Sequence, residues 1–165
     1  MFSRHYLHYT SGSPSILQSI VDNNPDRQYR LANEIGSNRA YLFDVTGKRD
    51  SNFATPVSYQ VLEHYHGDKL SGITHIESYN DDVKKRDALL ENARQVFEKT
   101  QLADLSAAFI MQDQKDSNNI ILITCWDSET ALQEWLNSKV YAPLKSFSSR
   151  DPQNTFYHQD FRIIN

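Results

Sequence analysis

Hydrophobic and polar positions change their period several times along the chain, and each change predicts an element. Residues 4–9 read as a strand. Ser13-Pro14 then sets an N-cap residue before a first-turn proline, and Ile16, Leu17, Ile20 and Val21 follow at helical spacing until Asn23-Asn24-Pro25 stops the helix. Two extended segments, 27–33 and 39–46, precede a polar, turn-rich loop at 47–55. The segment 58–66 (SYQVLEHYH) is rich in β-formers and reads as a strand. Residues 1–68 therefore predict a small βαβββ layer, too small to bury both of its faces alone.

The second half, residues 69–165, has a cleaner rhythm. A strand at 71–79 is followed by a helix at 81–99, whose Val83, Leu89, Leu90, Ala93, Val96 and Phe97 form an apolar stripe with a polar back. Strands at 105–112 and 119–126 flank the turn signal Lys115-Asp116-Ser117-Asn118. The run IILITCW is apolar throughout, as in a central strand covered on both faces. Asp127 or Ser128 caps a second helix at 129–137, with Trp135 on its inner side. A helical turn at 140–147 and a last strand at 156–164 complete the order β-α-β-β-α-β, the ferredoxin-like arrangement. Both helices on one face of such a sheet leave the other face bare, and exposed apolar area of that size is a liability. A homodimer pairing two sheets face to face buries it, although the N-terminal half could cover some of the same face.

Charge and composition narrow the function classes. The chain has 165 residues and a net charge of −4, so no basic face is available for phosphates, and nucleic-acid binding is disfavoured. The basic run Lys84-Lys85-Arg86 lies among aspartates and reads as a solvated helix face. Cys125 is the only cysteine, which excludes an intrachain disulfide and a cysteine metal cluster; in its apolar run it reads as a buried, inert thiol. No stretch approaches the ~18 apolar residues of a membrane span, and the N-terminus lacks a signal-peptide core, so the expected location is cytoplasmic. With five glycines, the chain holds no P-loop, nucleophile elbow or glycine-rich dinucleotide fingerprint.

The segment 120–145, IILITCWDSETALQEWLNSKVYAPLK, carries a resemblance. A strand ends in Trp126, a helix starts at once, Trp135 comes nine positions later, and Ser138-Lys139-Val140-Tyr141 leads into a short helix. This resembles the antibiotic-biosynthesis-monooxygenase superfamily, and most closely its haem-degrading branch. Tyr9-Thr10-Ser11-Gly12 and the step from Pro56 to Leu62 loosely resemble a longer subfamily, with an N-terminal extension, that includes the Bacillus haem monooxygenase and the staphylococcal protein TRAP. The resemblance implies an α+β fold: a ferredoxin-like dimeric α/β barrel domain at 69–165 after a small α+β extension at 1–68.

It also implies a pocket. Haem degraders of this type are similar in using an Asn on the first strand, a Trp at the end of the third, and an axial His nineteen positions after that Trp. Here those positions fall on Thr74, Trp126 and Lys145. A lysine ammonium has no lone pair for iron, so Lys145 fits a haem propionate better than the metal. Pro143 restricts the turn that would present the ligand. Thr74 and Trp126 are thus the candidate catalytic residues, and Lys145, Tyr141 and His75 the candidates for holding a ligand. His75 reaches the pocket only by a one-residue shift of strand parity. Trp135 reads as core packing. His64 and His66 have the two-apart spacing of a metal pair but no visible third ligand, so no metal site is assigned.

Three functions accord with this pattern: a monooxygenase acting on haem or another planar aromatic compound with oxygen, a non-catalytic haem or small-molecule binder, or a TRAP-like stress or regulatory dimer. A cavity edged by Trp126 and Thr74 would favour the first two. One filled by Leu144 or Phe147 would favour the third.

Overall fold

The computed structural model describes residues 6–101, 103–148 and 155–164. Arg4 and His5, at the start of the first predicted strand, lie outside them. The N-terminal half runs β1 (Tyr6–Gly12), α1 (Pro14–Asn23), β2 (Tyr29–Glu34), β3 (Ala40–Asp44) and β4 (Val57–Tyr65). The C-terminal half runs β5 (Ile73–Asn80), α2 (Val83–Lys99), β6 (Leu105–Asp113), β7 (Asn119–Trp126), α3 (Glu129–Leu136), α4 (Ala142–Lys145) and β8 (Thr155–Ile163).

Local chemistry sets the helix starts. Ser13, Asp82 and Ser128 are extended N-cap residues whose side chains accept from Ile16, Lys85 and Ala131 N–H groups. Pro143 sits in the first turn of α4, which is only four residues long. Val83, placed in the predicted stripe of α2, is the first residue of the helix and is 53% exposed; Leu89, Ala93, Val96 and Phe97 are buried as expected.

All eight strands close into one antiparallel barrel in the order β1-β3-β2-β8-β5-β7-β6-β4. The C-terminal strands stand in the order β8-β5-β7-β6, as a ferredoxin-like sheet requires. The N-terminal strands repeat that order as β4-β1-β3-β2, continuing round the barrel past β6, with a loop where the second helix would lie. Two seams join the sheets, β2 with β8 (Ala32 opposite Ile163) and β4 with β6 (Tyr59 opposite Asp113).

The face expected to need a second copy is therefore covered by the N-terminal half of the same chain. Leu7, Tyr9, Tyr41 and Phe43 from that half meet Ile76, Phe109, Ile121, Ile123 and Phe161 inside the barrel. Each such fully buried side chain contributes roughly 1.5–3 kcal/mol of transfer free energy. A second core lies between the outer face of the C-terminal sheet and α2, α3 and α4; Trp126, Trp135, Leu132, Tyr141 and Leu144 belong to it. On the outer face of the N-terminal sheet, α1 and the loop residue Phe53 pack over Leu42 and Tyr29. That loop is tied down where Arg27 bonds both Asp44 (3.0 Å) and Asp50 (2.6 Å).

Cys125 faces the barrel interior fully buried, and burial pushes its thiol above the ordinary range. No helix among the described residues is long and apolar enough to cross a membrane.

Candidate functional site

Strand alternation decides which groups meet. On β5, Thr74 and Ile76 point into the barrel, whereas Ile73, His75, Glu77 and Tyr79 point toward the helices. β8 pairs with β5 so that Asp160 lies opposite His75, His158 opposite Glu77, and Phe156 opposite Tyr79. Cross-strand partners share a face, so this set converges on the helix side of the sheet. There a cavity of about 440 Å³ opens, with His75, Glu77 and Asp160 on its sheet wall and Leu136, Tyr141 and Lys145 on its helix wall. Phe156 and His158 also line it.

The polar groups form one network. Glu77, only 2% exposed, accepts from Tyr79 at Oε1 (2.9 Å) and from Tyr141 at Oε2 (2.5 Å). The same Oε2 stands 2.9 Å from His75 Nε2, and His75 Nδ1 is hydrogen-bonded to Asp160. Burial alone would lower the His75 pKa, but the bonds to Asp160 and Glu77 outweigh it and raise it to about 9. His75 is thus an imidazolium at neutral pH, buried between two carboxylates. Burial, with the charge of Glu77 second, keeps the Tyr79 and Tyr141 hydroxyls protonated well beyond the usual tyrosine range.

Of the residues singled out in the sequence, His75, Tyr141 and Lys145 come together around this cavity. Thr74 lies on the opposite face of the sheet, buried beside Cys125 with its hydroxyl 3.3 Å from the Ser71 carbonyl. Trp126 is fully buried on the helix side but does not line the opening. Its ring packs on Trp135 (5.2 Å between centroids), and Trp135 packs in turn on Tyr141 (4.6 Å), so it reaches the cavity through an aromatic stack. Trp135 is pinned by its indole N–H to Thr100 Oγ1 at 3.1 Å. The expected cavity edged by Trp126 and Thr74 does not form: Leu144 and Phe147 pack in the core around Trp126, and the open space lies instead along β5 and β8.

Glu77, Tyr79, His158 and Asp160 were not legible as site residues. The alternation His75-x-Glu77-x-Tyr79 on one strand face was the available signal for two of them. Asp160 and His158 emerge only from the register of β8. His66 sits past the end of β4 with φ of 70°, out of line with His64, and turns to the Phe97 carbonyl (3.2 Å), so these two do not form a pair.

No protein-family model matches the chain, and no curated protein matches it in sequence. Solved structures do match. A monooxygenase-like protein from Listeria innocua superposes with a TM-score of 0.73 at 18% identity, over 99% of this chain and 96% of that one. A major regulator of staphylococcal pathogenesis gives 0.71 at 12% identity, over 97% and 99%. A haem-degrading enzyme from Listeria monocytogenes gives 0.66 at 15%, over 93% and 97%. Identities this low speak for the fold alone. Over almost its whole length, the chain has the ferredoxin-type barrel fold of proteins similar to the antibiotic-biosynthesis monooxygenases.

Proposed function

We propose that the cavity between β5, β8, α3 and α4 binds a planar aromatic compound carrying an acidic hydroxyl or carboxyl group, and that the protein acts on it as an oxygen-dependent monooxygenase. The observation that carries this is the His75–Glu77–Tyr141–Asp160 network opening into a cavity whose largely polar lining is interrupted by Leu136, Phe156 and the Tyr141 ring. A concave surface with convergent polar groups, some apolar contact and a titratable group moved from its ordinary pKa is what a small-molecule site offers.

Phe156, Leu136 and Tyr141 give a flat ring its apolar contacts. Lys145 on the helix wall supplies a positive charge for the ionised group. It favours the anionic form of a phenol, the electron-rich form that reacts with oxygen. Glu77 holds the His75 ring and the Tyr141 hydroxyl in place, and Trp126 backs Tyr141 through Trp135. In this role Trp126 is a positioning residue, and Thr74 contributes only to the sheet behind.

Haem is the alternative ligand, motivated by the haem-degrading neighbour. The donor set does not fit iron ligation as it stands: both nitrogens of His75 are hydrogen-bonded to carboxylates, and the Lys145 ammonium lacks a lone pair. Haem would be held by ring contact and by a propionate on Lys145. All of the cavity residues named above come from one chain.

Oxygen uptake with a dihydroxyanthrone, and a haemin titration followed in the visible with and without ascorbate, separate these cases. The expected result is saturable oxygen consumption with the anthrone, reduced at least about tenfold in Lys145→Ala and Tyr141→Phe. Bleaching of a saturable haem band would shift the substrate to haem. Absence of both binding and turnover with both compounds would sink the proposal.

A further inference from the structure

We propose that His75, His158 and Asp160 form a binding site for one divalent first-row transition cation on the sheet wall of this cavity. The assignment goes beyond the aromatic-ligand proposal and does not depend on it.

One donor atom from each of the three side chains lies within 4.8 Å of the others. They project from two hydrogen-bonded strands: Asp160 is the cross-strand partner of His75, and His158 stands two residues earlier on the same face of β8. The two imidazole rings are 5.6 Å apart between centroids. His75 and Asp160 are already in direct contact through Nδ1.

What surrounds His75 points to a ligand rather than a plain core histidine. Its Nε2 is committed to Glu77 (2.9 Å), and Glu77 is itself fixed by Tyr79 and Tyr141. This leaves Nδ1 directed at Asp160 and the cavity. An outer carboxylate on the far ring nitrogen is the usual support of a metal-bound imidazole, where it fixes ring orientation and tautomer and raises basicity. Binding displaces the Nδ1 proton that His75 shares with Asp160; two neutral imidazoles and the Asp160 and Glu77 carboxylates then present a charge that a dication balances.

Bond lengths near 2.0–2.2 Å place neighbouring ligand atoms about 3.4 Å apart in a tetrahedral site. Reaching that spacing asks for rotation of His158, whose exposed ring lies against those of His75 and Phe156, and for a slight parting of His75 and Asp160. Two imidazoles and one carboxylate suit zinc or cobalt rather than calcium or magnesium. Three protein ligands leave the remaining coordination positions facing the cavity.

The test is calorimetric titration of the chelator-treated full chain with zinc(II) and cobalt(II), with the visible spectrum recorded for cobalt. One ion per chain is expected, with cobalt bands of imidazole–carboxylate ligation. His158→Ala removes an exposed side chain and weakens binding by about tenfold or more, and Asp160→Asn does the same; His64→Ala on β4 binds as the native chain does. Absence of stoichiometric binding, or unchanged affinity in both His158→Ala and Asp160→Asn, overturns the assignment. The titration contains no aromatic ligand, so its failure would leave the proposed function standing.

Discussion

Among single residues, Glu77 and His75 determine the chemistry of the cavity and part of the stability of the fold. Glu77 is buried with three donors on two oxygens, so Glu77→Gln leaves at least one buried donor without an acceptor. Losing one partner of a buried charged pair costs about 3 kcal/mol or more, which a urea melt measures directly. His75 adds a pH dependence. It faces Asp160 and His158 on β8, Glu77 and Tyr79 on its own strand, and Tyr141 and Lys145 from the α4 side. Its folded pKa of about 9 stands above the unfolded value of 6.5. The native state therefore holds the proton more tightly, and that stabilisation is fully present below about pH 6.5 and lost as pH rises toward 9. The corresponding free energy is about 3 kcal/mol. Chelator-treated protein should show the loss in its urea midpoint across that window, and His75→Gln should flatten the profile. A native chain whose midpoint is level from pH 6.5 to 9 would contradict the imidazolium assignment.

At the scale of elements, the turn into β5 is the most exposed to damage. Gly72 adopts a φ of +58°, and a Cβ built there would lie 2.4 Å from the Trp126 carbonyl oxygen at the end of β7. Both the backbone conformation and the contact oppose any side chain, so Gly72→Ala should cost at least about 2 kcal/mol. A thermal melt within error of the native protein would show that the turn relaxes freely. Elements were the most legible level of the sequence. Ser13, Asp82 and Ser128 cap as side-chain chemistry dictates, and the fully apolar run ending at Trp126 is a central strand buried on both faces. Strand parity was harder to fix, because short apolar and polar runs leave the face ambiguous. Thr74 and His75 differ by one residue, and that step separates the barrel interior from the cavity. Three cavity residues were readable because they sit on or beside a recognisable motif. Asp160 and His158 were not, since their place depends on pairing between distant strands; the cross-strand bond between His75 and Asp160 spans 85 residues.

For the whole molecule, the closure of eight strands within one chain is the feature that local pattern could not supply. Sequence predicts two incomplete layers, each with a bare face; that they cover one another depends on the β2–β8 and β4–β6 seams. A fragment of residues 69–165 would expose Ile76, Phe109, Met111, Ile121 and Ile123 of the barrel interior. It should self-associate in sedimentation to bury that face, and a folded, strictly monomeric fragment would contradict the packing described. The same closure fixes β8 against β5 and so builds the sheet wall of the cavity. The most direct test of that cavity as the ligand site is an NMR titration of labelled protein with dihydroxyanthrone. Saturable shifts centred on His75, Tyr141, Lys145 and Phe156, and weakened in Lys145→Ala, are the predicted result. Shifts confined to the N-terminal sheet, or none that saturate, would contradict it.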